Sequence, residues 1–136
     1  MVTIREAIID DFDILLERET HINDQVLKKK IEHKEIIVIL ENNTIIGWLR
    51  YSLFWDEHPF INMLFIQKEY RKKGYGKKLV SFWEQAMKQK GYTILMTSTL
   101  SNEESQNFYR NMGYKDRGGF VLPQEPLEII FIKEGI

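Results

Sequence analysis

Apolar positions recur along this chain with two periods, and the changes of period mark its elements. VTIREAI at 2–8 is short and rich in β-branched residues, which predicts a first strand. DDFDILLERE at 10–19 places Phe12, Leu15 and Leu16 at helical spacing behind acidic residues suited to a helix start. A second helix is expected over 24–32. EIIVIL at 35–40 and TIIGWLRYSLFW at 44–55 read as an antiparallel pair joined at Asn42-Asn43, residues that tolerate the positive φ of a tight hairpin turn. PFINMLFI at 59–66 is apolar nearly throughout, which predicts a third strand buried on both faces.

Beyond Gly74 the period changes. Tyr75, Leu79, Phe82, Trp83, Ala86 and Met87 recur at steps of three and four, one face of a helix that should end near Gly91. YTILMTST at 92–99 reads as another strand. Ser101-Asn-Glu-Glu104 has the spacing of a capping box, with Ser101 as N-cap, ahead of Ser105, Phe108, Tyr109 and Met112 on a helix that stops at Gly113. Residues 114–121 and 127–133 then close the pattern as two strands around the Pro123 to Pro126 turn. The expectation is an α+β protein with a mixed sheet. No repeat, low-complexity tract or linker divides the 136 residues, so a single domain over 1–136 is expected.

Composition narrows the chemistry. Nineteen Lys and Arg against 20 Asp and Glu leave a formal net charge of −1, so no global field draws the chain to nucleic acid or an anionic membrane, and any role for cations is local. With no cysteine there is no thiol catalysis, thiolate metal site or disulfide scaffold, and cytoplasm is the expected compartment. No apolar run approaches the roughly 20 residues of a membrane span. His21, His33 and His58 stand 12 and 25 residues apart without a paired spacing, so no metal site is expected.

The local cations gather in EYRKKGYGKKL at 69–79, between the third strand and the long helix. The free N–H groups and positive dipole end of a helix start form an anion site. Gly74 and Gly76 let phosphate oxygens approach the backbone, and Arg71, Lys72, Lys73, Lys77 and Lys78 add charge. A phosphorylated ligand fits; a solvated turn and helix start is the alternative. The spacing matches neither GxxxxGK[ST] nor the three-glycine dinucleotide fingerprint, which weakens the case for ATP in a P-loop and for NAD. A nucleic-acid patch at 68–78 is disfavoured by the lack of a second basic cluster.

Arg71-Lys72-Lys73-Gly74-Tyr75-Gly76 resembles the R/Q-x-x-G-x-G/A signature of the GNAT superfamily of acyl-CoA N-acyltransferases. Asn102-Glu-Glu-Ser105-Gln-Asn-Phe108-Tyr109-Arg-Asn-Met-Gly113-Tyr114 is similar to that family's second motif, and the two stand in the family's order. The resemblance runs from about residue 36 to 121 and implies a mostly antiparallel sheet of six to seven strands with about four helices. It implies acetyl-CoA as acyl donor, with its pyrophosphate held by the turn from Arg71 to Lys77, Tyr75 included, and its pantetheine arm along Leu64, Phe65 and Ile66. The Leu64 N–H is implied as the donor to the thioester carbonyl.

By the same resemblance Tyr109 protonates the departing thiolate and Asn102 touches the coenzyme, with Asn107 a weaker contact. Tyr109 also fits as a core residue on its apolar stripe, and Asn102 as an ordinary first-turn residue. The family's usual base position falls on Phe60, which cannot act as one, so Glu57 in WDEHP is the candidate base, directly or through water. Trp48, Tyr51, Trp55 and Phe60 either wall an acceptor pocket or fill the core. The implied reaction moves an acetyl group to a primary amine, small-molecule or peptide, in a monomer or homodimer; a noncatalytic acyl-CoA-binding domain is the alternative.

Overall fold

The computed structural model describes all 136 residues. Seven strands follow the order β1-β2-β3-β4-β5-β7-β6 in one open, mostly antiparallel sheet, accompanied by four α-helices. The residues form two compact units, one of Met1–Tyr51 with Met63–Phe82, the other of Ser52–Asn62 with Trp83–Ile136.

In the first unit, β1 (Val2–Glu6), β2 (Ile36–Glu41) and β3 (Thr44–Phe54, as far as Tyr51) pair antiparallel, with Ile4 opposite Ile39 and Val38 opposite Trp48. Asn42 and Asn43 take φ values of 50° and 68°, the left-handed pair that a two-residue hairpin requires. A short 3-10 turn at Ile9–Asp11 leads into α1 (Phe12–Arg18), so the first helix begins later than the acidic run suggested. The Asp11 carboxylate reaches back to the Ile8 N–H at 2.8 Å and takes two hydrogen bonds from Arg5. α2 (Asp24–Glu32) occupies the span expected of it, with the Asn23 side chain accepting the Val26 N–H at 2.9 Å as N-cap. Ala7, Leu15, Leu27, Ile31, Val38, Ile45 and Trp48 form the core, with Met63 and Phe65 packed against it.

In the second unit, β5 (Ile94–Leu100) pairs in parallel with β4 (His58–Ile66) at Phe60↔Met96 and Ile61↔Thr97, and antiparallel with β7 (Leu127–Glu134) along its whole length. β6 (Lys115–Val121) pairs with β7 through a register shift between Asp116 and Gly119, and all of its residues are exposed. Buried Trp83, Met87, Leu95, Tyr109, Tyr114 and Phe131 make the core here. The Tyr114 hydroxyl donates to Glu84 at 2.8 Å, and Lys133 reaches the same carboxylate at 3.2 Å.

Two helix stops are local glycine chemistry. α3 (Tyr75–Gln89) ends with Gly91 at φ 95° and the Tyr92 N–H returning to Met87 O at 3.1 Å. α4 (Ser105–Asn111) ends the same way, with Gly113 at φ 93° and the Tyr114 N–H on Tyr109 O at 3.0 Å. This is the paired closure of a Schellman motif.

Three further expectations change. Ser101 is not an N-cap: residues 101–104 form turns, α4 starts a turn later, and the carboxylate of Glu103 rather than Glu104 accepts the Leu100 N–H at 3.1 Å. The Gln106 side chain fills the Ser101 and Glu103 carbonyls at 2.8 and 2.7 Å, which holds that turn without a helix. Val80 is buried on α3, whereas Phe82 is exposed. β4 is not sealed on both faces; Pro59 and Ile61 are buried, Asn62 is exposed, and Met63 to Ile66 are half-buried.

Candidate functional site

The basic turn lies in the first unit. β4 ends at Ile66, a 3-10 turn covers Lys68–Tyr70, and α3 begins at Tyr75. Lys78 N–H donates to Gly74 O at 3.1 Å as the first helical bond, so Gly74 is the N-cap and the N–H groups of Tyr75, Gly76 and Lys77 have no helical carbonyl to meet. Gly74 stands at φ 84° with open space where a Cβ would be, and Lys72 at φ 62°. Three unclaimed donors, two left-handed residues beside them and exposed Lys72, Lys73 and Lys77 suit a phosphate group.

The cations of this turn do different things. Arg71 donates from Nε to Ile66 O at 2.7 Å and lies over the Phe65 ring at 5.5 Å, which turns it back against β4. Lys73 sits 5.7 Å from the Tyr70 ring centre and Lys78 5.9 Å from that of Tyr75. The Tyr75 hydroxyl donates to Glu41 at 3.4 Å and ties the helix start to β2.

Leu64, Phe65 and Ile66 stand just ahead of the turn, and a glycine governs their position. A Cβ on Gly47 would lie 2.5 Å from Phe65 O and 2.7 Å from Ile66 Cδ1. Only a glycine in β3 allows the β4 backbone this close. The Trp48 ring packs on Phe65 with centroids 4.6 Å apart, so Trp48 belongs to the core, as does buried Tyr51.

In the second unit Tyr109 is buried, edge-on to Tyr114 at 5.6 Å and beside Phe131 at 6.4 Å. Burial pushes its hydroxyl up to about 12, against a hydrogen bond with Thr97 that acts the other way. The Thr97 hydroxyl itself donates to Ile61 O at 3.1 Å. Tyr109 is therefore neutral throughout the physiological range. Asn102 is exposed in the turn ahead of α4, and Asn107 accepts a bond from Arg110 at 3.2 Å. Glu57 is the last residue before β4 in a turn whose Trp55 and Asp56 both have positive φ, with its side chain 68% exposed and 3.6 Å from His58. Phe60 stacks on Phe54 with centroids 5.9 Å apart.

A sequence profile described as the Acetyltransferase (GNAT) family matches residues 1–114. The chain belongs to that family. It is thus an acetyltransferase, and solved structures share its fold. A GNAT-family acetyltransferase of Bacillus cereus ATCC 10987 is 24% identical, with 100% of this chain and 99% of that one covered and a TM-score of 0.80. PaiA N-acetyltransferase of Thermoplasma acidophilum, solved with coenzyme A, is 20% identical over 98% and 99% of the two chains, with a TM-score of 0.75. A candidate streptothricin acetyltransferase of Bacillus anthracis, solved with acetyl coenzyme A, is 19% identical over 100% and 99%, with a TM-score of 0.82. No functionally curated protein matches the chain.

This acetyltransferase also carries a buried ionic cluster that sequence reasoning passed over. Glu19 follows α1, and its Oε1 accepts the His21 N–H at 3.0 Å and faces the His21 ring at 3.3 Å. Its Oε2 takes Trp48 Nε1 at 3.2 Å and Arg50 Nε at 3.4 Å. Burial pulls the Glu19 carboxyl up, but the His21 N–H, the Arg50 charge, the Trp48 N–H and the His21 ring outweigh it, and the net shift is downward. A lone arginine inside TIIGWLRYSLF was the available signal, since a charge in a buried strand needs a partner. The partner, 31 residues away, was not legible.

No helix is long and apolar enough to cross a membrane, and no cluster of three His, Asp or Glu side chains is arranged to hold a metal.

Proposed function

We propose that residues 1–136 are one N-acetyltransferase domain that moves the acetyl group of acetyl-CoA directly to a primary amine. The observation that carries this reading is the α3 start, where Gly74 in left-handed geometry precedes three N–H groups without helical partners. In this reading those groups, with Lys72, Lys73 and Lys77, bind the coenzyme's pyrophosphate, while Leu64, Phe65 and Ile66 offer main-chain groups to its pantetheine arm. Acetyl-CoA supplies an activated thioester. The amine nitrogen forms a bond to the acetyl carbon, the carbon–sulfur bond breaks, and the sulfur leaves as thiolate.

The Leu64 N–H is the proposed donor to the developing oxyanion, and the Tyr109 hydroxyl the proposed donor to the departing sulfur. Asn102 is assigned a contact to the coenzyme. An alkyl amine of pKa about 10.4 is neutral in only about one molecule in a few thousand at pH 7, so its proton must go to a base. Glu57, in an exposed turn, is assigned that part through water.

Calorimetric titration with acetyl-CoA, with ATP and NAD as controls, tests the donor. Saturable micromolar binding of acetyl-CoA alone, followed by thiol release on adding amines, supports the proposal. Absence of acetyl-CoA binding removes it and leaves the basic turn as a solvated helix start.

A further inference from the structure

We infer that Arg50 binds a carboxylate of the acceptor, so that the amine acetylated is a small amino-carboxylate rather than a simple alkylamine. The inference rests on the acetyltransferase reading and names the substrate class of that site. Arg50 is an exception in β3, a strand otherwise built of apolar and small residues, and its side chain is only 8% exposed. A guanidinium so buried is costly unless its charge and its donors are met.

Glu19 meets the charge but not the donors. Its two oxygens are already shared among the His21 main chain and ring, Trp48 Nε1 and Arg50 Nε. Nε is the one Arg50 nitrogen so engaged; the two Nη nitrogens have no acceptor in the protein, yet neither is among the sealed atoms that lack a partner. Glu19 therefore fixes the guanidinium from its Nε side and leaves the planar Nη pair for something outside the chain.

A planar monoanion meets that pair bidentately. A phosphate dianion would meet the Glu19 charge 3.4 Å from Nε without a second cation to balance it. The cluster also has a surface edge, since the His21 side chain is 66% exposed. It adjoins the segment assigned to the coenzyme, because Trp48, two residues before Arg50 on the same strand face, packs on Phe65 at 4.6 Å.

The test compares amino acids with their decarboxylated amines: lysine with 1,5-diaminopentane, leucine with 3-methylbutylamine, 5-aminopentanoate with butylamine. Acetylation should favour at least one carboxylate-bearing member, and Arg50→Lys should raise its KM by about 10- to 100-fold with little change in kcat. The same substitution should leave any turnover of the decarboxylated partner unchanged. Glu19→Gln with Arg50→Met removes both charges together, and a retained unfolding midpoint separates lost recognition from lost folding.

Equal rates within every pair, a preference for the decarboxylated members, or equal losses on both members in Arg50→Lys would overturn the inference. So would inactivity across the panel in a protein that binds acetyl-CoA. Titration of the same preparations with acetyl-CoA keeps the two readings apart, since failure of that binding removes the acetyltransferase proposal itself.

Discussion

Two buried side chains, Tyr109 and Glu19, respond to pH in opposite directions. Tyr109 sits among aromatic rings, and burial pushes its hydroxyl up to about 12. Because the folded value is raised, the stability linked to it is complete below the ordinary tyrosine range and is lost only as pH rises through about 12. The proposed proton donor therefore stays protonated, and kcat should show no alkaline fall from Tyr109 between pH 7 and 10. Tyr109→Phe should lower kcat about 100-fold with acetyl-CoA affinity little changed, as read by stopped assays and titration. Undiminished kcat would leave Tyr109 as a core residue. Glu19 has the opposite sign. Its folded value is depressed, so its stabilisation is present above the ordinary carboxylate range and is lost as pH falls through the folded value. Glu19→Gln should cost about 3 kcal/mol at pH 7 by leaving Arg50 unpaired in a buried site. Urea unfolding across pH should show that difference shrinking as pH falls below the ordinary carboxylate range.

At the scale of elements, the approach of β4 to β3 depends on Gly47. Gly47→Ala must push Phe65 O and Ile66 Cδ1 outward from contacts of 2.5 and 2.7 Å. The expected result is about 2 kcal/mol of destabilisation with weaker acetyl-CoA binding, since the displaced segment is the one assigned to the pantetheine arm. Gly91→Ala supplies the control: its φ of 95° strains an alanine, but nothing lies within 4 Å of the new Cβ. It should lower stability by about 1 kcal/mol and leave acetyl-CoA affinity intact. Equal losses of affinity in both variants would show that global stability, not the β4 backbone, is being read. These elements also show what the sequence could convey. The Asn42-Asn43 turn and the stops at Gly91 and Gly113 were legible because each is decided within a few residues by φ alone. The basic turn was legible for the same reason, as glycine and lysine spacing before a helix-period run. The Ser101 cap was misread because Glu103 and Glu104 offer the same carboxylate one residue apart, and only the Gln106 bonds to Ser101 O and Glu103 O settle the turn. The Glu19–Arg50 pair and the need for glycine at 47 arise from contacts between distant segments, which no local pattern encodes.

For the whole molecule, the relevant contrast is between a net charge of −1 and five cations gathered within 69–79. An almost neutral chain exerts little long-range pull on a polyanion, so in the proposed reading attraction to a phosphorylated donor comes from the turn, at distances comparable with the Debye length of about 10 Å in 0.1 M salt. Arg71 is held by Ile66 O and Phe65, which makes the lysines the screened part of that attraction. Raising KCl from 0.05 to 0.5 M should therefore weaken acetyl-CoA binding about fivefold, with the unfolding midpoint nearly constant. Lys72→Gln combined with Lys77→Gln should weaken binding at low salt and flatten this dependence. Arg71→Gln should instead reduce stability, because it releases the bond to β4, and should leave the salt dependence in place. Binding that ignores salt in the wild type would mean that the main-chain N–H groups at the start of α3 hold the ligand without help, and that the lysines only keep the surface solvated.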